Sequence, residues 1–440
     1  WAAPGRSATD LGGYLPMRVM ILGSGGSEHA MGWGVSRSPQ VQEVFMAPGN
    51  GGTSNVGRSV PLDICDPPAV LEAAKDLGVD LVIVGPEAPL VAGVADPLLD
   101  AGIRVLGPGS KGARLEGSKA FAKAFMTDNS VRTAQFDVCS NVRECRRALS
   151  IRRPPYVIKA DGLAAGKGVL ITQDLDEAIR YCEDLIERGI LGDAGSKVVI
   201  EDHIGGFEIT ALAMVDGDRG IILPLSQDHK RAYEGDRGPN TGGMGAYCPV
   251  PWEREELLSK IRGEVLEPTL RGLKAMGIRY RGILYMGLMV RDDGSIWVLE
   301  YNVRMGDPET QVTVPVIGDQ WLSLCWKAAD GRLDVDRVVE DHKTALGVVL
   351  ASEGYPARPI TGRHIQGADP FDDGTSLVFH SGTRLESGGL VSSGGRVLTV
   401  VGIGEDLKEA RERAYDRIRR IHLQGGFYRS DIGLRAMGEV

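Results

Sequence analysis

Cysteine is scarce in this sequence, with six in 440 residues, and no two of them form a Cys-x-x-Cys pair. Small secreted domains that depend on disulfides carry many closely spaced cysteines, and redox or zinc motifs need close pairs. The seven histidines include no pair at metal-site spacing on a helix, so a zinc site has little support. We therefore expect reduced thiols and a cytoplasmic protein.

Long apolar runs and an excess of positive charge are missing too. No run approaches the roughly 20 apolar residues that a membrane span needs, and 50 basic against 59 acidic residues give a net charge of -9. That charge repels a polyanion unless a local basic patch overrides it. The arginines at 411–420 have helical spacing and are interleaved with acids, which favours a solvated helix face. We expect neither a membrane nor a nucleic-acid partner.

What is present is length and an ordinary globular composition, with 42% apolar and 25% charged residues. At about 100 to 200 residues per domain, the chain should divide into three or four units. Changes in pattern predict a multi-domain α/β and α+β fold with these parts: a non-native or flexible extension at 1–16, a parallel α/β domain at 17–117, a central domain at 118–342 with a compact lid at about 132–202, and a small C-terminal α+β domain at 343–440.

Apolar periodicity predicts individual elements in each part. The expected strands are 18–22, 44–47, 81–84, 104–107, 156–160, 169–172, 197–202, 345–351, 376–380 and 396–401. The expected helices are 28–36, 69–77, 118–127, 175–188 and 321–329, followed by a closing helix. In the first domain each strand ends in Gly or Pro turn chemistry, so loops rich in backbone N–H groups should gather at one sheet edge.

The first glycine loop, Gly23-x-Gly25-x-x-Glu28, resembles a dinucleotide fingerprint only superficially. Glu28 replaces the third glycine, and the second strand ends in Ala47-Pro48-Gly49 without an acid for ribose hydroxyls. Glycine N–H groups at a helix N-terminus still suit a phosphate, which favours a phosphorylated substrate. A tight turn without a ligand is the alternative.

A second loop follows the strand that ends at Lys159, with Gly162, Gly166, Lys167 and Gly168 in the turn. An unpaired ammonium at the end of an apolar strand is costly, so Lys159 needs an anionic partner such as a nucleotide phosphate. The pattern is not a P-loop, because no Ser or Thr follows the Gly-Lys pair at the head of a helix. A flexible hairpin with a surface lysine remains the alternative.

A third motif places Glu300, Asn302 and Arg304 around the end of a strand. Residues two apart on a strand point to the same face, so a carboxylate and an amide oxygen meet at one spot beside a guanidinium. These oxygens together with nucleotide phosphates suit Mg²⁺, which seldom uses an all-protein cage. An exposed strand end with a salt bridge is the alternative. Between the motifs, the glycine-rich segment at 226–247 is typical of a binding loop.

Eight motifs in order along the chain are together similar to those of the phosphoribosylamine-glycine ligase family, also called glycinamide ribonucleotide synthetases. They are Gly23-Ser-Gly-Gly-Ser-Glu28-His-Ala, Ala47-Pro-Gly-Asn50, Val84-Gly-Pro-Glu87-Ala-Pro-Leu, Leu115-Glu-Gly-Ser-Lys119-Ala, the loop from Lys159 to Gly168, Ser226 to Arg231, Gly238 to Tyr247, and Glu300 to Gln311. The match extends from Met17 to about Gly433.

The resemblance implies an ATP-grasp fold with a Rossmann-like N-terminal domain, a mobile lid and a small C-terminal domain. It implies ATP and Mg²⁺ as cofactors, with Mn²⁺ able to take the same place. It also implies roles for individual residues: Lys119, Lys159, Gly162, Gly166, Lys167 and Gly168 at the nucleotide phosphates, the hinge from Glu201 to Ile204 at adenine, Glu208 at the ribose, Glu300 and Asn302 at the metal, Gly25, Gly26, Glu28, Asn50, Pro86 and Glu87 at phosphoribosylamine, and Asp228 and Arg304 at glycine or the acyl-phosphate.

Two departures from the family pattern matter. Relatives commonly have Arg where Ser27 stands, which removes one phosphate contact and leaves that duty to the loop N–H groups. Many ATP-grasp enzymes also carry an acid on the strand beside the metal, yet residues 281–290 contain none. Metal coordination would then rest on Glu300 and Asn302.

The expected reaction is ATP-dependent ligation of glycine to 5-phosphoribosylamine through a glycyl-phosphate, in de novo purine biosynthesis, with Lys159, Asp228 and Arg304 as catalytic residues. The amine substrate is expected to be handed over from the preceding pathway enzyme. Alternatives are another ATP-grasp carboxylate-amine ligase or carboxylase, a nucleotide-binding dehydrogenase, and a catalytically silent ATP-binding regulator. The missing third glycine counts against the dehydrogenase, and Lys159, Glu300 and Asn302 count against the silent regulator.

Overall fold

The computed structural model describes residues 16–164, 168–338, 343–369 and 374–438. The extension expected at 1–16 lies outside these ranges apart from Pro16, and so do two proposed phosphate-binding residues, Gly166 and Lys167. Within these ranges no helix is both long and apolar enough to cross a bilayer.

The first part of the chain is a five-stranded parallel sheet covered by helices. Its elements are β1 (Met17–Gly23), α1 (Gly26–Ser36), β2 (Val41–Pro48), β3 (Arg58–Ser59), α2 (Pro67–Asp76), β4 (Leu81–Val84), α3 (Glu87–Val91), α4 (Ala95–Asp100), β5 (Arg104–Leu106) and α5 (Ser110–Gly117). The strand order is β3-β2-β1-β4-β5. β1 is an almost fully buried apolar run, as parallel strands covered on both faces require. The four strands and two helices predicted here are confirmed within three residues of their predicted ends.

The lid is an antiparallel sheet with two helices packed against it. The elements of this region are α6 (Lys119–Asp128), β6 (Phe136–Cys139), α7 (Val142–Ser150), β7 (Tyr156–Ala160), β8 (Val169–Thr172), α8 (Leu175–Ile186) and β9 (Val198–Glu201). The strand order is β6-β9-β7-β8. In the antiparallel pairing of β7 with β9, Glu201 lies opposite Val157, two residues before Lys159, and the Glu201 carboxylate contacts the Lys159 ammonium.

The central region is built on a second antiparallel sheet. Its elements are β10 (Phe207–Asp216), β11 (Gly220–Ile222), β12 (Gln227–Asp228), β13 (Arg231–Tyr233), β14 (Arg237–Asn240), β15 (Gly245–Cys248), α9 (Glu255–Ile261), α10 (Glu267–Ala275), β16 (Arg281–Val290), β17 (Ile296–Asn302), α11 (Glu309–Ile317) and α12 (Trp321–Asp330). The sheet order is β11-β10-β16-β17. A π-helical turn, Arg262–Leu266, joins α9 to α10, and β13 and β14 form a separate hairpin.

The C-terminal region contributes β18 (Thr344–Ala351), β19 (Ile365–Gln366), β20 (Ser376–His380), β21 (Thr383–Glu386), β22 (Gly389–Ser392), β23 (Arg396–Gly404), α13 (Leu407–Ile418) and β24 (His422–Leu423). Its main sheet has the order β12-β15-β18-β23-β20, so two of the five strands come from before residue 343. β15 pairs with β18 from Gly245 opposite Val348 to Cys248 opposite Ala345. The domain boundary predicted at 342 stays a proposal. The backbone hydrogen bonds between β15 and β18 join residues on its two sides.

One central helix, α11, holds these regions together. All nine of its residues are buried, which is the pattern of a helix enclosed on every side. It lies against α1 of the first domain and against β15 and β18 of the C-terminal sheet. The approach to α1 is close, since a Cβ added at Gly34 would lie 2.7 Å from Val314 Cγ1. The N-terminal sheet edge and the C-terminal sheet are therefore fixed around one cleft.

Helix α13 packs on β23 with its backbone against the strand. A Cβ at Gly402 would lie 2.0 Å from the Ala410 carbonyl oxygen and 2.5 Å from Ala414 N. We expect Gly402→Ala to force helix and strand apart and lower the free energy of unfolding by about 1–3 kcal/mol, measured by denaturant and thermal unfolding. Gly263→Ala is the control, because nothing lies within 4 Å of that Cβ. Equal melting of Gly402→Ala and the parent would contradict this packing.

Candidate active site

A cleft of about 1050 Å³ lies between the N-terminal sheet edge, the lid and the central sheet. Residues 429–436 of the C-terminal tail contribute to its wall. Most residues proposed from the sequence line it: Gly25, Glu28, Pro86, Glu87, Lys119, Lys159, Gly168, Glu201, Ile204, Glu208, Asp228, Glu300, Asn302 and Arg304. A single large cleft with convergent charged groups is the usual form of a substrate site.

Lys119 is the first residue of α6 and lies opposite the turn that follows β7. Asp161 in that turn accepts hydrogen bonds from Ser118 Oγ (2.9 Å) and from the Ala120 N–H (2.7 Å), which ties the turn to the helix N-terminus. Lys119 Nζ donates to the Gly162 carbonyl at 3.4 Å. Burial lowers the pKa of Lys119, so an added anion would be well accommodated beside it.

Lys159 belongs to a buried triad with Glu201 and Lys123. Both ammonium groups contact the Glu201 carboxylate, one at each oxygen, and all three residues are less than 8% exposed. Burial raises the pKa of Glu201, but the two cations outweigh it and hold the pKa below its usual range. Lys123 Nζ also donates to Thr133 Oγ1 at 2.7 Å. Both Glu201 oxygens thus contact ammonium groups, so an adenine at the 201–204 hinge would meet the backbone and the other side chains of the hinge.

Glu300 and Asn302 lie together at the end of β17, with their side chains hydrogen-bonded. The residue opposite Glu300 is Gly287, whose lack of a side chain leaves room for the carboxylate. Burial raises the pKa of Glu300, but the charges of Lys230, Lys159 and Lys119 outweigh it and lower the pKa to about 2. Glu300 is therefore an anion at neutral pH.

This oxygen pair fits a magnesium ion shared with a nucleotide. The described ranges hold no group of three or more His, Cys, Asp or Glu side chains arranged to hold a metal, so Glu300 and Asn302 would supply only part of a coordination shell. Mg²⁺ commonly takes one or two protein oxygens and completes its shell with phosphates and water. The donor set is consistent with that arrangement.

Arg304 is held between two carboxylates. Its Nε lies 3.1 Å from Glu87 Oε2, its Nη2 lies 3.2 Å from Glu116 Oε1, and its Nη1 donates to the Met305 carbonyl at 2.9 Å. Glu116 also accepts the Val303 N–H at 2.7 Å, and burial raises its pKa to about 7. Glu87, proposed for phosphoribosylamine, therefore orients Arg304 in this structure.

Asp228 is placed by backbone pairing of β12 with β15, opposite Ala246. Burial raises the pKa of Asp228 to about 8, although the charge of Lys230 opposes this. Lys230 forms an ion pair with Glu208, the residue proposed for the ribose. A half-buried carboxyl with a raised pKa attracts a cationic ligand, because an added ammonium would stabilise its charged form.

Glu28 fills the space beneath the first glycine loop. Its carboxylate accepts the Gly25 N–H at 2.5 Å and Ser27 Oγ–H at 2.7 Å. A Cβ at Gly23 or Gly85 would lie within 2.5 Å of the Glu28 side chain, so these glycines are needed for its packing. A dinucleotide pyrophosphate would need the same Gly25 N–H, which gives a physical reason to set that alternative aside.

Of the proposed residues that the structure describes, three do not line the cleft: Gly26, Asn50 and Gly162. A Cβ at Gly26 would meet Ser381 Oγ at 2.5 Å, so this glycine allows α1 to approach a C-terminal loop. Asn50 Nδ2 donates to the carbonyls of Ser24 (2.9 Å) and His380 (2.7 Å), and so joins the first and last domains. Ligand contacts by these residues stay predictions.

Sequence reasoning missed several groups that shape the site: Lys123, Glu116, Lys230 and the tail residues Arg429, Asp431 and Arg435. Lys123 had a usable signal, because it lies four residues after Lys119 and thus on the same helix face. Glu116 and Lys230 lie within two of the eight family motifs, but the resemblance assigned no role to them. Arg429 had no local signal, since its partners on the hairpin are more than 190 residues away.

The chain matches three models of the phosphoribosylglycinamide synthetase family: the N domain over residues 17–116, the ATP-grasp domain over 117–310 and the C domain over 345–435. A phosphoribosylamine-glycine ligase from Ralstonia nicotianae is 45% identical over 421 residues, which are 96% of this chain and 100% of the relative.

Solved structures show the same similarity. The crystal structure of phosphoribosylamine-glycine ligase from Thermotoga maritima is 39% identical with a TM-score of 0.84, covering 94% of this chain and 100% of that chain. The biotin carboxylase domain of 2-oxoglutarate carboxylase from Hydrogenobacter thermophilus is 15% identical with a TM-score of 0.72, covering 94% of this chain and 92% of that chain. At that identity the carboxylase shows the fold alone.

The triad predicts that Lys123 acts on nucleotide binding through Glu201. In Lys123→Met, Glu201 keeps only Lys159 as a partner, so less of the Lys159 charge remains for a phosphate. We expect an unreactive ATP analogue to bind about tenfold more weakly by calorimetric titration. The control is Lys111→Met, which removes the same charge from an exposed helix position. Unchanged affinity in a folded Lys123→Met protein would show that the triad is structural only.

Proposed function

This chain belongs to the phosphoribosylglycinamide synthetase family, and we propose that it joins glycine to 5-phosphoribosylamine, with ATP as the phosphoryl donor. The products are glycinamide ribonucleotide, ADP and phosphate, a step of de novo purine biosynthesis. The observation that carries the proposal is that Lys159 of β7, Glu300 of β17 and Arg304 just after β17 line one cleft together with Asp228 of β12. Phosphate-binding, metal-binding and ammonium-binding groups are then within one cavity.

The first step is transfer of a phosphoryl group to glycine. One carboxylate oxygen of glycine attacks the γ-phosphorus of ATP, the bond to the β,γ-bridging oxygen breaks, and ADP leaves. Lys119 and Lys159 hold the phosphates by their charge, and Arg304 stabilises the negative charge on the transferring group. Asp228 binds the glycine ammonium, and the charge of this ammonium favours the ionised form of the Asp228 carboxyl. Glu300 and Asn302 would hold a divalent metal, which would supply further positive charge to stabilise the phosphates; we propose Mg²⁺, with Mn²⁺ as a substitute.

The second step forms the amide. The amine of phosphoribosylamine attacks the carbonyl carbon of glycyl-phosphate, the C–O bond to phosphate breaks, and the nitrogen loses one proton. Residues beside Gly25, whose own N–H is taken by Glu28, are proposed to hold the sugar phosphate together with Pro86 and Glu87. Closure of the lid at about 132–202 would exclude water, which otherwise hydrolyses an acyl-phosphate.

Two wider parts of the proposal concern supply and location. A sugar with an amine on its anomeric carbon hydrolyses readily, so direct handover from the enzyme that makes it would limit losses. We also propose a cytoplasmic location, which agrees with six cysteines that form no disulfide, five of them buried.

The proposed function requires strict dependence on all substrates. We expect ADP release only when ATP, Mg²⁺, glycine and phosphoribosylamine are all present, because the acyl-phosphate forms in a closed site and waits for its amine. Coupled measurement of ADP with each component omitted in turn is the test. Substantial turnover without glycine would exclude the assignment.

Glu300→Gln tests the metal pair. The variant keeps shape and hydrogen bonding but removes the charge, so we expect turnover at saturating Mg²⁺ to fall by about 10² to 10³-fold. Affinity for an unreactive ATP analogue should fall less, since adenine and ribose bind elsewhere. Thermal melting must accompany the assay, because the Glu300 charge also compensates the charges of three lysines.

Glu309→Gln is the comparison variant for that experiment. Glu309 is buried and its Oε1 accepts hydrogen bonds from Thr210 Oγ1 (3.2 Å) and Tyr285 OH (2.9 Å), which gives it a structural role in this protein. A folded Glu300→Gln protein that turns over within a few-fold of the parent would move the metal site away from Glu300. A larger loss of turnover in a folded Glu309→Gln protein would then make Glu309 the next candidate ligand.

A further inference from the structure

The C-terminal tail returns to the cleft after α13 and packs on the β13–β14 hairpin. This hairpin directly follows Asp228-His229-Lys230 and directly precedes Gly242-Gly243, so it connects two segments of the candidate site. Within the described residues its two strands pair only with each other. The hairpin therefore gains no support from a larger sheet.

Arg429 is the centre of the contact between tail and hairpin. It is 2% exposed, and its guanidinium makes a bidentate pair with Asp431 of the tail, with both N–O distances 2.7 Å. The remaining nitrogen, Nη1, donates to Asp236 Oδ1 and to the Arg231 carbonyl of the hairpin, both at 3.0 Å. A buried guanidinium with each nitrogen engaged in this way is rigidly oriented.

The two acids complete a closed network. Asp431 Oδ2 also accepts the Gly235 N–H of the hairpin at 2.8 Å, and Asp236 Oδ2 accepts from Arg435 Nη2 at 2.6 Å. Asp236 is the tip residue with φ of +52°, a left-handed conformation that is uncommon outside glycine. The tip of the hairpin is thus held in one conformation by contacts to the tail.

A second contact connects the tail to the segment before the hairpin. The Gly433 N–H donates to His229 Nε2 at 3.3 Å, so the ring is neutral and carries its proton on Nδ1. Burial, with a further contribution from the Arg429 charge, lowers the pKa of His229 to about 4. His229 stands between Asp228 and Lys230, and its position constrains both.

We propose that Arg429 is a positioning residue: by clamping the hairpin to the C-terminal tail, it sets the place of Asp228 and Lys230 in the cleft and so governs glycine binding. The inference rests on the proposed function for the identity of the ligand, while the clamp itself can be measured without any substrate. In the proposed reaction, Arg429 contacts no reacting atom. Its effect passes through the backbone from 231 to 228.

Three variants test the clamp. Arg429→Met removes the charge and leaves Asp236 and Asp431 without their common partner. Arg429→Lys keeps the charge but loses the bidentate contact of the guanidinium with Asp431. Asp236→Asn weakens only the contact that the hairpin makes with the tail. Amide hydrogen exchange of the peptide spanning 228–241, in protein without ligands, should accelerate about tenfold or more in Arg429→Met and less in Arg429→Lys. Arg413→Met is the control, because that side chain bonds Glu409 and the Ile403 carbonyl, away from the hairpin.

Kinetics separate positioning from general instability. We expect kcat/KM for glycine to fall about ten- to a hundredfold in Arg429→Met through a higher KM, with partial recovery in Arg429→Lys. Affinity for the unreactive ATP analogue should fall less than kcat/KM for glycine, since Lys119, Lys159 and the hinge lie on other elements and only Glu208 is coupled to the hairpin, through its ion pair with Lys230. In a protein that has only lost stability, kcat/KM for glycine and affinity for the ATP analogue would fall together.

Each outcome decides between the inference and the proposed function. Unchanged hydrogen exchange at 228–241 and unchanged glycine KM in folded Arg429→Lys and Asp236→Asn proteins would overturn the inference while the ligase assignment stood. A parent enzyme without glycine-dependent turnover would overturn the proposed function, and the exchange measurement would still report on the clamp. If Arg429→Met does not fold, the other two variants carry the test.

Discussion

The structure depends on keeping several ammonium groups charged inside a partly closed cleft. A buried cation without a partner is strongly unfavourable, and a buried pair is tolerable only when its hydrogen bonds are complete. Glu201, through an ion pair, and Glu300, through its charge, both stabilise the Lys159 ammonium. Glu201 lies at the end of a lid strand, and Glu300 lies near the end of a strand of the central sheet. The carboxylates that compensate the charge of Lys159 therefore also connect the lid to the central sheet.

Much of the fold was open to prediction because its elements carry local signals. The strand expected at 18–22 and the helix expected at 28–36 are both present, each with slightly longer bounds. Pairing between distant segments was not predictable in the same way. The two-residue strand β12 has no apolar pattern, and the partnership of β15 with β18 joins segments about a hundred residues apart. No periodicity within one segment records such a neighbour.

The site shows the same division between local and distant information. Lys159 and Glu300 could be proposed because an ammonium or a carboxylate at the end of an apolar strand is itself unusual. Glu28 was expected to face a substrate, and that contact stays a prediction; Glu28 lines the cleft, and its side chain also packs against the distant Gly85, which no local pattern records. Arg429 was not expected at all, because its burial results from partners brought together by folding. The motifs therefore identified the groups that line the cleft, whereas the residues that hold those groups in place became evident only from the tertiary structure.

The sheet shared across residue 342 has a consequence for how this chain can be divided. A fragment ending there would keep β15 but lose β18, and its backbone N–H and C=O groups along that edge would be left without partners. Such open edges favour pairing between molecules and aggregation. The boundary that serves to describe the domains is therefore a poor place to cut. Exchange of C-terminal regions between relatives would need to carry β12 and β15 along with the rest of the sheet.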